Sequence, residues 1–187
     1  SLTPTDRGVR LALALAAFAA YVATAAPGPS WLDSGELAAA GATLGVAHPP
    51  GHPLWTLLAW AAAQLPAGSL AFRITVLGAG FGAWAAALLY ELALRTAAMA
   101  EPASPTPSPR HRVAAAVVTL ATALAAPMWL QAVRPEVYTL QVALTLAATV
   151  QAVRWLASPL PRPNAAPLKI ALLVGLAAAN HHLLIVF

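Results

Sequence analysis

Long apolar runs alternate along the chain with short polar segments that are rich in proline. A helix that crosses the apolar core of a bilayer needs about 20 residues, with a range of about 17–25. Five runs have this length and contain few charged residues. The pattern therefore predicts an all-α protein with about five transmembrane helices, over residues 9–26, 74–94, 113–130, 139–156 and 170–187.

The segment between the first two predicted spans, residues 27–73, is more polar and is interrupted by prolines. Two short helices are predicted in it, over residues 34–44 and 54–65, and neither is long enough to cross a bilayer. Asp33 and Glu36 have the spacing of a capping box at the start of the first. The intervening His48-Pro49-Pro50-Gly51-His52-Pro53 predicts a rigid turn, because proline lacks a backbone donor and restricts the residue before it.

The composition supports a membrane protein, since 60% of the residues are hydrophobic and 9% are charged, against about 25% charged in soluble domains. The net charge of +4 comes from too few groups to indicate nucleic-acid binding, and the absence of cysteine excludes disulfides and thiolate metal sites. The chain begins at Ser1 and ends at Phe187 within an apolar run. We therefore expect residues 1–187 to be the N-terminal part of one larger multispan domain.

The positions of the basic residues predict the topology. Cytoplasmic loops carry an excess of Lys and Arg. If residues 54–65 do not cross the membrane, the N-terminus is cytoplasmic and only two of the ten basic residues, Arg73 and Arg134, are external. If they do cross, most of the basic residues move outside. The first topology is favoured, and it gathers polar residues on the external face: Asp33, Glu36, His48, His52, Arg73, Arg134 and Glu136.

His48 and His52 have a spacing that metal sites use on helices. The prolines between them exclude a helical pair, so we predict no metal site and expect the two histidines to stabilise the turn or to contact substrate.

Five short motifs carry a resemblance to a known family. They are Asp33-Ser34-Gly35-Glu36, His48-Pro49-Pro50-Gly51, Ala71-Phe72-Arg73, Glu136-Val137-Tyr138-Thr139-Leu140 and Asn180-His181-His182. In this order they resemble the N-terminal part of GT-C-fold membrane glycosyltransferases. The similarity is closest to a family of bacterial and animal multispan proteins, long labelled a domain of unknown function, whose animal member is a protein O-mannosyltransferase.

The resemblance implies a GT-C-like helical bundle that transfers a sugar, with mannose as a candidate, from a polyprenyl-phosphate donor to a protein or glycan acceptor. It implies transfer on the external or periplasmic face of a bacterial inner membrane, with membrane lipid as a partner and no further cofactor. An inverting transfer needs a carboxylate that accepts the acceptor proton and cationic groups that bind the departing phosphate.

Roles for the candidate residues follow from this chemistry. Asp33 is the candidate base and Glu36 would hold the acceptor or a water, whereas the alternative is that both only cap a helix. The predicted substrate-binding residues are His48, His52, Arg73, Arg134, Glu136, Tyr138, Asn180 and His181. Arg134 and Glu136 could instead form an interfacial ion pair. Asn180, His181 and His182 could instead make only hydrogen bonds between helices.

Two other classes of protein remain open, a multispan transporter and a non-catalytic membrane scaffold. A transporter should have polar interruptions near the middle of its helices, whereas here the carboxylates and prolines collect at the ends of the apolar runs.

Overall fold

The computed structural model describes residues 2–28, 32–100, 107–160 and 165–182, which form eight helices and no strand. The helices are α1 Pro4–Ala23, α2 Ser34–Thr43, α3 Pro53–Ala63, α4 Leu70–Ala100, α5 Pro109–Leu124, α6 Ala126–Ala132, α7 Tyr138–Leu156 and α8 Ala165–His181. The prediction of an all-helical fold is confirmed for these residues. The short helices α2 and α3 begin and end within two residues of their predicted bounds.

The predicted span over residues 113–130 is wrong as one continuous helix, because α5 and α6 meet at an angle of 61°. Pro127 lies at the start of α6, and proline cannot donate the backbone hydrogen bond that would continue α5. The acceptor that this bond would use is the carbonyl of Ala123, and it instead accepts the hydroxyl of Tyr21 at 2.7 Å. The break therefore creates a contact between α1 and α5.

Only α4, of the helices in the described ranges, is long and apolar enough on its own to cross a membrane, and the bent pair α5 and α6 is a second candidate if it counts as one span. The prediction of about five transmembrane helices is therefore not confirmed. In α1, Asp6, Arg7 and Arg10 lie inside the helix rather than before it, which lowers its apolar character. Of the predicted span 170–187, residues 183–187 lie outside the described part.

Helix α4 lies at the centre of the bundle and contacts α1, α2, α3, α5, α6 and α7. Small residues make this possible, as they do where membrane helices approach closely. A Cβ atom on Gly82 would lie 2.9 Å from the ring of Tyr21, and one on Gly78 would lie 3.6 Å from the hydroxyl of Thr139. Glycine at these positions lets α1 and α7 pack directly against the α4 backbone.

Two carboxylates join the helices at the end of the bundle where α4 finishes. Glu91 is fully buried and pairs with Arg10 at 2.6 Å, Arg95 at 2.7 Å and Arg154 at 2.5 Å. These residues connect α1, α4 and α7. Asp6, also fully buried, pairs with Arg112 at 2.7 Å and so connects α1 to α5. Basic residues that the sequence assigned to one side of a membrane thus share one end of the fold.

Replacement of Glu91 should strongly destabilise this end of the bundle. Glu91→Gln leaves three arginines without their carboxylate, and removing one partner of a buried ion pair costs about 3–5 kcal/mol. The arginines are partly exposed, so we expect the lower part of this range. Arg95→Gln is the control: it removes one guanidinium of three, and a partly exposed pair contributes about 0–1 kcal/mol. Thermal unfolding in detergent measures both, and equal shifts in Tm for the two variants would contradict this account.

Candidate functional site

The carboxylate of Glu36 holds the loop that contains His48. Its Oε1 accepts the backbone N–H of His48 at 2.5 Å, and its Oε2 lies 3.1 Å from Nδ1 of the same residue. The predicted capping box is therefore wrong. Asp33 is the N-cap residue of α2 but its side chain makes no capping hydrogen bond, and the carboxylate of Glu36 bonds to His48, twelve residues further on, instead of to the backbone of Asp33.

Asp33, Glu36 and His48 form an exposed cluster, which we call the acid–histidine cluster. His48 Nε2 lies 4.0 Å from Asp33 Oδ2, and the side chains of Asp33, Glu36 and His48 are 57%, 46% and 39% exposed. The hydrogen bonds from the His48 side chain and backbone lower the pKa of Glu36, so this carboxylate is ionised at neutral pH. Each residue offers a ligand atom within 4.8 Å of the others, so the three could hold a metal ion. The prediction that no metal is needed stays a prediction.

The loop reaches α3 through residues in the left-handed region. Gly51 donates its backbone N–H to the carbonyl of His48 at 2.8 Å, and the φ angles of Gly51 and His52 are +87° and +47°. A positive φ is favourable for glycine and unusual for histidine, and such residues are frequent at functional sites. Pro53 then begins α3, a position where proline is well tolerated.

His52 is buried beneath the loop. Its Nδ1 lies 2.7 Å from the backbone carbonyl of Asn180, an atom that can only accept, so Nδ1 carries the proton in this contact. Burial lowers the pKa of His52, which keeps the ring neutral and leaves Nε2 as a free acceptor. Nε2 is buried and has no hydrogen-bond partner among the described residues.

A row of four aromatic rings connects the acid–histidine cluster to α7 and α8. The centroids of His48 and His52 are 5.3 Å apart, those of His52 and His181 are 5.1 Å apart, and those of His181 and Tyr138 are 5.7 Å apart. Three of the predicted substrate-binding histidines are thus brought together, and Tyr138 is the exposed end of the row. His182 is exposed beyond it.

Asn180 is an interhelical residue in this structure. It is 1% exposed, and its Nδ2 donates to the carbonyl of Val137 at 3.1 Å and to Oε1 of Gln141 at 3.0 Å. Both amide hydrogens are therefore used by α7. These contacts match the alternative in which the residue joins helices, and its predicted role in substrate binding stays a prediction.

Arg134 and Glu136 form a buried ion pair next to the cluster. Arg134 Nη2 lies 3.3 Å from Glu136 Oε1, and both side chains are less than 8% exposed. Burial raises the pKa of Glu136 above its ordinary value. The positive charge of Arg134 lowers this pKa, and the negative charge of Asp33 raises it. The pair lies close to the histidines, because Asn180 bonds both to His52 and to the carbonyl of Val137, the residue after Glu136. Trp55 also contacts this region, because its Nε1 donates to the carbonyl of Glu136 at 3.1 Å.

Arg73 lies apart from these residues. Its Nη1 donates to the carbonyls of Ala63 and Leu65 beyond the last turn of α3, whereas His52 precedes the first residue of the same helix. Eleven helical residues rise about 16 Å. The structure therefore does not bring Arg73 to the acid–histidine cluster, although the sequence grouped them.

Two contributors to the site were missed in the sequence. Trp55 and Gln141 both lie in apolar runs, and both bond to groups around Val137. A polar side chain such as Gln141 within a predicted span was a usable signal, since such residues tend to face protein. The sequence held no such signal for Trp55, because tryptophan is common both in protein cores and at membrane interfaces.

The fold and the site together indicate the class of protein. The described residues form an all-helical protein with one long apolar helix at its centre and a carboxylate–histidine cluster at one end. The profile of the N-terminal domain of protein O-mannosyl-transferase TMEM260 matches residues 33–187. The chain belongs to this family, and the predicted resemblance is confirmed.

The chain is also 55% identical over 64 residues to protein O-mannosyl-transferase TMEM260 of Mus musculus. This alignment covers 34% of the chain and 9% of the mouse protein, so well under two thirds of that relative is represented. No solved structure matches the chain. The relative is a mouse protein, which argues against the predicted bacterial inner membrane, while the apolar α4 supports the coarser prediction of membrane association.

The absence of a cap at Asp33 has a measurable consequence for stability. Asp33→Ala should change the free energy of unfolding by less than about 0.5 kcal/mol, as for a surface residue with no structural bond. Thr3→Ala is the matched control, because Thr3 does cap α1 through the N–H of Asp6, and loss of a cap costs about 1 kcal/mol. Chemical denaturation compares them. An equal loss in the free energy of unfolding for Asp33→Ala and Thr3→Ala would show that the side chain of Asp33 does cap α2.

Proposed function

We propose that the protein is a GT-C-type glycosyltransferase that moves a sugar from a polyprenyl-phosphate donor to a hydroxyl of a protein or glycan acceptor, with mannose as the first candidate sugar. Membership in the TMEM260 N-terminal family supports sugar transfer. The observation that carries the proposal is the exposed carboxylate oxygen Asp33 Oδ2 and the ring nitrogen His48 Nε2, 4.0 Å apart. One hydroxyl can bond to both, since its O–H donates to the carboxylate and its oxygen can accept from a protonated Nε2.

Asp33 is the proposed general base. It takes the proton of the acceptor hydroxyl while the acceptor oxygen bonds to the anomeric carbon of the sugar. The bond from that carbon to the phosphate oxygen breaks, and the phosphate leaves with the electron pair. Asp33 suits this role because its carboxylate is exposed and has no capping bond to break. General-base catalysis requires only hydrogen-bond reach and an available lone pair.

Glu36 is proposed to hold His48 rather than the acceptor. Its carboxylate accepts both the backbone N–H and the Nδ1 side of His48, which leaves Nε2 directed toward Asp33. A carboxylate bonded to one ring nitrogen determines which nitrogen carries the proton, here Nδ1. In its imidazolium form His48 can also donate Nε2–H to the oxygen of the acceptor hydroxyl and so hold the hydroxyl against Asp33.

Arg134 is the better candidate of the two arginines for the departing phosphate. It lies beside the cluster through its pairing with Glu136, and its Nε is buried without a partner among the described residues. An arginine already held in place can stabilise phosphate charge with little reorganisation. Arg73 lies beyond the far end of α3, about 16 Å along that helix from the cluster.

We further propose that the cluster faces the external side of a membrane that the protein crosses about five times, with the N-terminus in the cytoplasm. Residues 1–187 contain no cysteine, so an introduced thiol is the only one in this part of the protein, and labelling of the unsubstituted protein gives the background. Cysteine at Val46, 89% exposed and next to the cluster, should react with an impermeant thiol reagent added outside cells. Cysteine at Leu160, 76% exposed beyond the end of α7, should react only after the membrane is opened. The reverse labelling pattern would overturn this topology.

The assignment of Asp33 as the base is tested by Asp33→Asn in the full-length protein. Asparagine has the same shape but cannot accept the proton, so turnover should fall about 10²–10⁴-fold while thermal stability is unchanged. Transfer of labelled sugar from a polyprenyl-phosphate donor measures turnover. Thr43→Ala, an exposed change at the other end of α2, is the control and should retain full activity. Normal turnover in Asp33→Asn would contradict the assignment.

A further inference from the structure

An apolar groove of about 650 Å³ lies between α1, α3 and α4, and no residue of the acid–histidine cluster lines it. Its lining is almost entirely apolar and includes Phe18, Leu58, Leu65, Leu77, Phe81 and Trp84. Leu65 and Trp84 remain 56% and 39% exposed. Apolar surface of this kind on a membrane protein is expected to be covered by another apolar group.

The groove has one charged residue, Arg73, at the end where α4 begins. Nε of Arg73 donates to Ser69, and Nη1 donates to Ala63 and Leu65. A guanidinium has five N–H groups, so the two on Nη2 remain for another acceptor. Within the described ranges no carboxylate pairs with Arg73, although Asp6, Glu36, Glu91 and Glu136 all have a cationic or histidine partner.

The groove follows α4 from Arg73 to Trp84. Eleven residues of helix rise about 16 Å, so the site combines one cationic end with an apolar channel about half as long as the apolar core of a bilayer is thick. A ligand that complements it has an anionic head and an apolar chain. It therefore fits neither a soluble sugar nor a free phosphate.

We infer that this groove binds an anionic glycerophospholipid, with an acyl chain along α4 and the phosphate at Arg73. The polyprenyl-phosphate donor has similar chemistry, but its phosphate must lie at the reacting sugar. Arg73 bonds at the last residues of α3, whereas His52, whose ring contacts His48, precedes its first residue, so a phosphate at Arg73 would be about one length of α3 from the histidines of the proposed site, which is too far for transfer. The lipid site is thus separate from the proposed catalytic site and does not depend on the proposed activity.

Gly80 allows the groove to be filled without disturbing the packing. A Cβ atom at Gly80 meets nothing within 4 Å, and Gly80 lines the groove. Gly80→Phe should therefore occupy the channel. Gly175→Phe is the matched control, because Gly175 lies on α8, away from the groove, and is equally open. Both changes replace a helical glycine with the same ring.

The test measures the thermal stability of the full-length protein in detergent as phosphatidylglycerol, phosphatidylcholine, inorganic phosphate or a polyprenyl phosphate is added. Phosphatidylglycerol should raise Tm in the wild type and in Gly175→Phe. Its half-saturating concentration should be at least about tenfold higher in Gly80→Phe, a ratio that corresponds to about 1.4 kcal/mol. Phosphatidylcholine and inorganic phosphate should have little effect.

Several results would overturn the inference. An equal response of Gly80→Phe and wild type to phosphatidylglycerol would exclude the groove as the site. No response of the wild type to phosphatidylglycerol would show that this lipid does not bind, and the inference would fail. If Gly80→Phe instead weakens the effect of the polyprenyl phosphate, the donor chain is the occupant. None of these outcomes depends on whether sugar is transferred, so the proposed function is judged separately.

Discussion

The arrangement of the bundle depends on how closely other helices can approach α4. A side chain larger than hydrogen at Gly82 would collide with Tyr21, which is itself held by the carbonyl that Pro127 leaves free in α5. One small residue therefore sets the distance of α1 from α4, and Tyr21 in turn joins α1 to α5 at the bend that Pro127 introduces. Protein interiors are packed densely enough that such a constraint is transmitted to neighbouring elements.

The charged groups divide the bundle into two ends with different properties. At one end, buried Glu91 and Asp6 neutralise part of a larger set of arginines and join four helices. At the other, Asp33 and His48 are exposed and are not required to hold helices together. The ion pairs that stabilise the bundle and the proposed site of chemistry thus lie at opposite ends, and the carboxylate of Asp33 remains exposed.

The exposed end is nevertheless fixed by hydrogen bonds from buried residues. His52 ties the proline-rich loop to the backbone of α8 at Asn180, and the side chain of Asn180 ties α8 to α7. The loop that carries His48 is therefore supported by two helices, α7 and α8, that are distant in sequence. A proposed active site on a loop gains from such support, because catalysis needs its groups fixed within a fraction of an ångström.

The sequence predicted much of the local secondary structure but few of the contacts between residues that are distant in sequence. The bounds of α2 and α3 follow from the prolines and the polar residues around them, and the family follows from motifs in a fixed order. The capping box at Asp33 and Glu36 was predicted wrongly, because the spacing of two residues cannot reveal a competing donor at His48, twelve positions away. The bend before α6 was visible as Pro127 but was outweighed by the length of the apolar run.

The grouping of Arg73 with Asp33 was also misleading, for a related reason. Both belong to the segment between the first two predicted spans, yet α3 separates them. In contrast, Asn180 and His52 are 128 residues apart and in contact. Contacts of this kind depend on how the helices pack, and hydrophobic periodicity does not encode the partner of a given face.

The most direct test of the central claim is a structure of the full-length protein with a non-transferable analogue of the polyprenyl-phosphate sugar. The account predicts that the sugar lies against Asp33 and His48, with its phosphate within hydrogen-bond distance of Arg134 and far from Arg73. A donor bound with its phosphate at Arg73, or at the arginines around Glu91, would contradict the assignment of the acid–histidine cluster as the site of transfer.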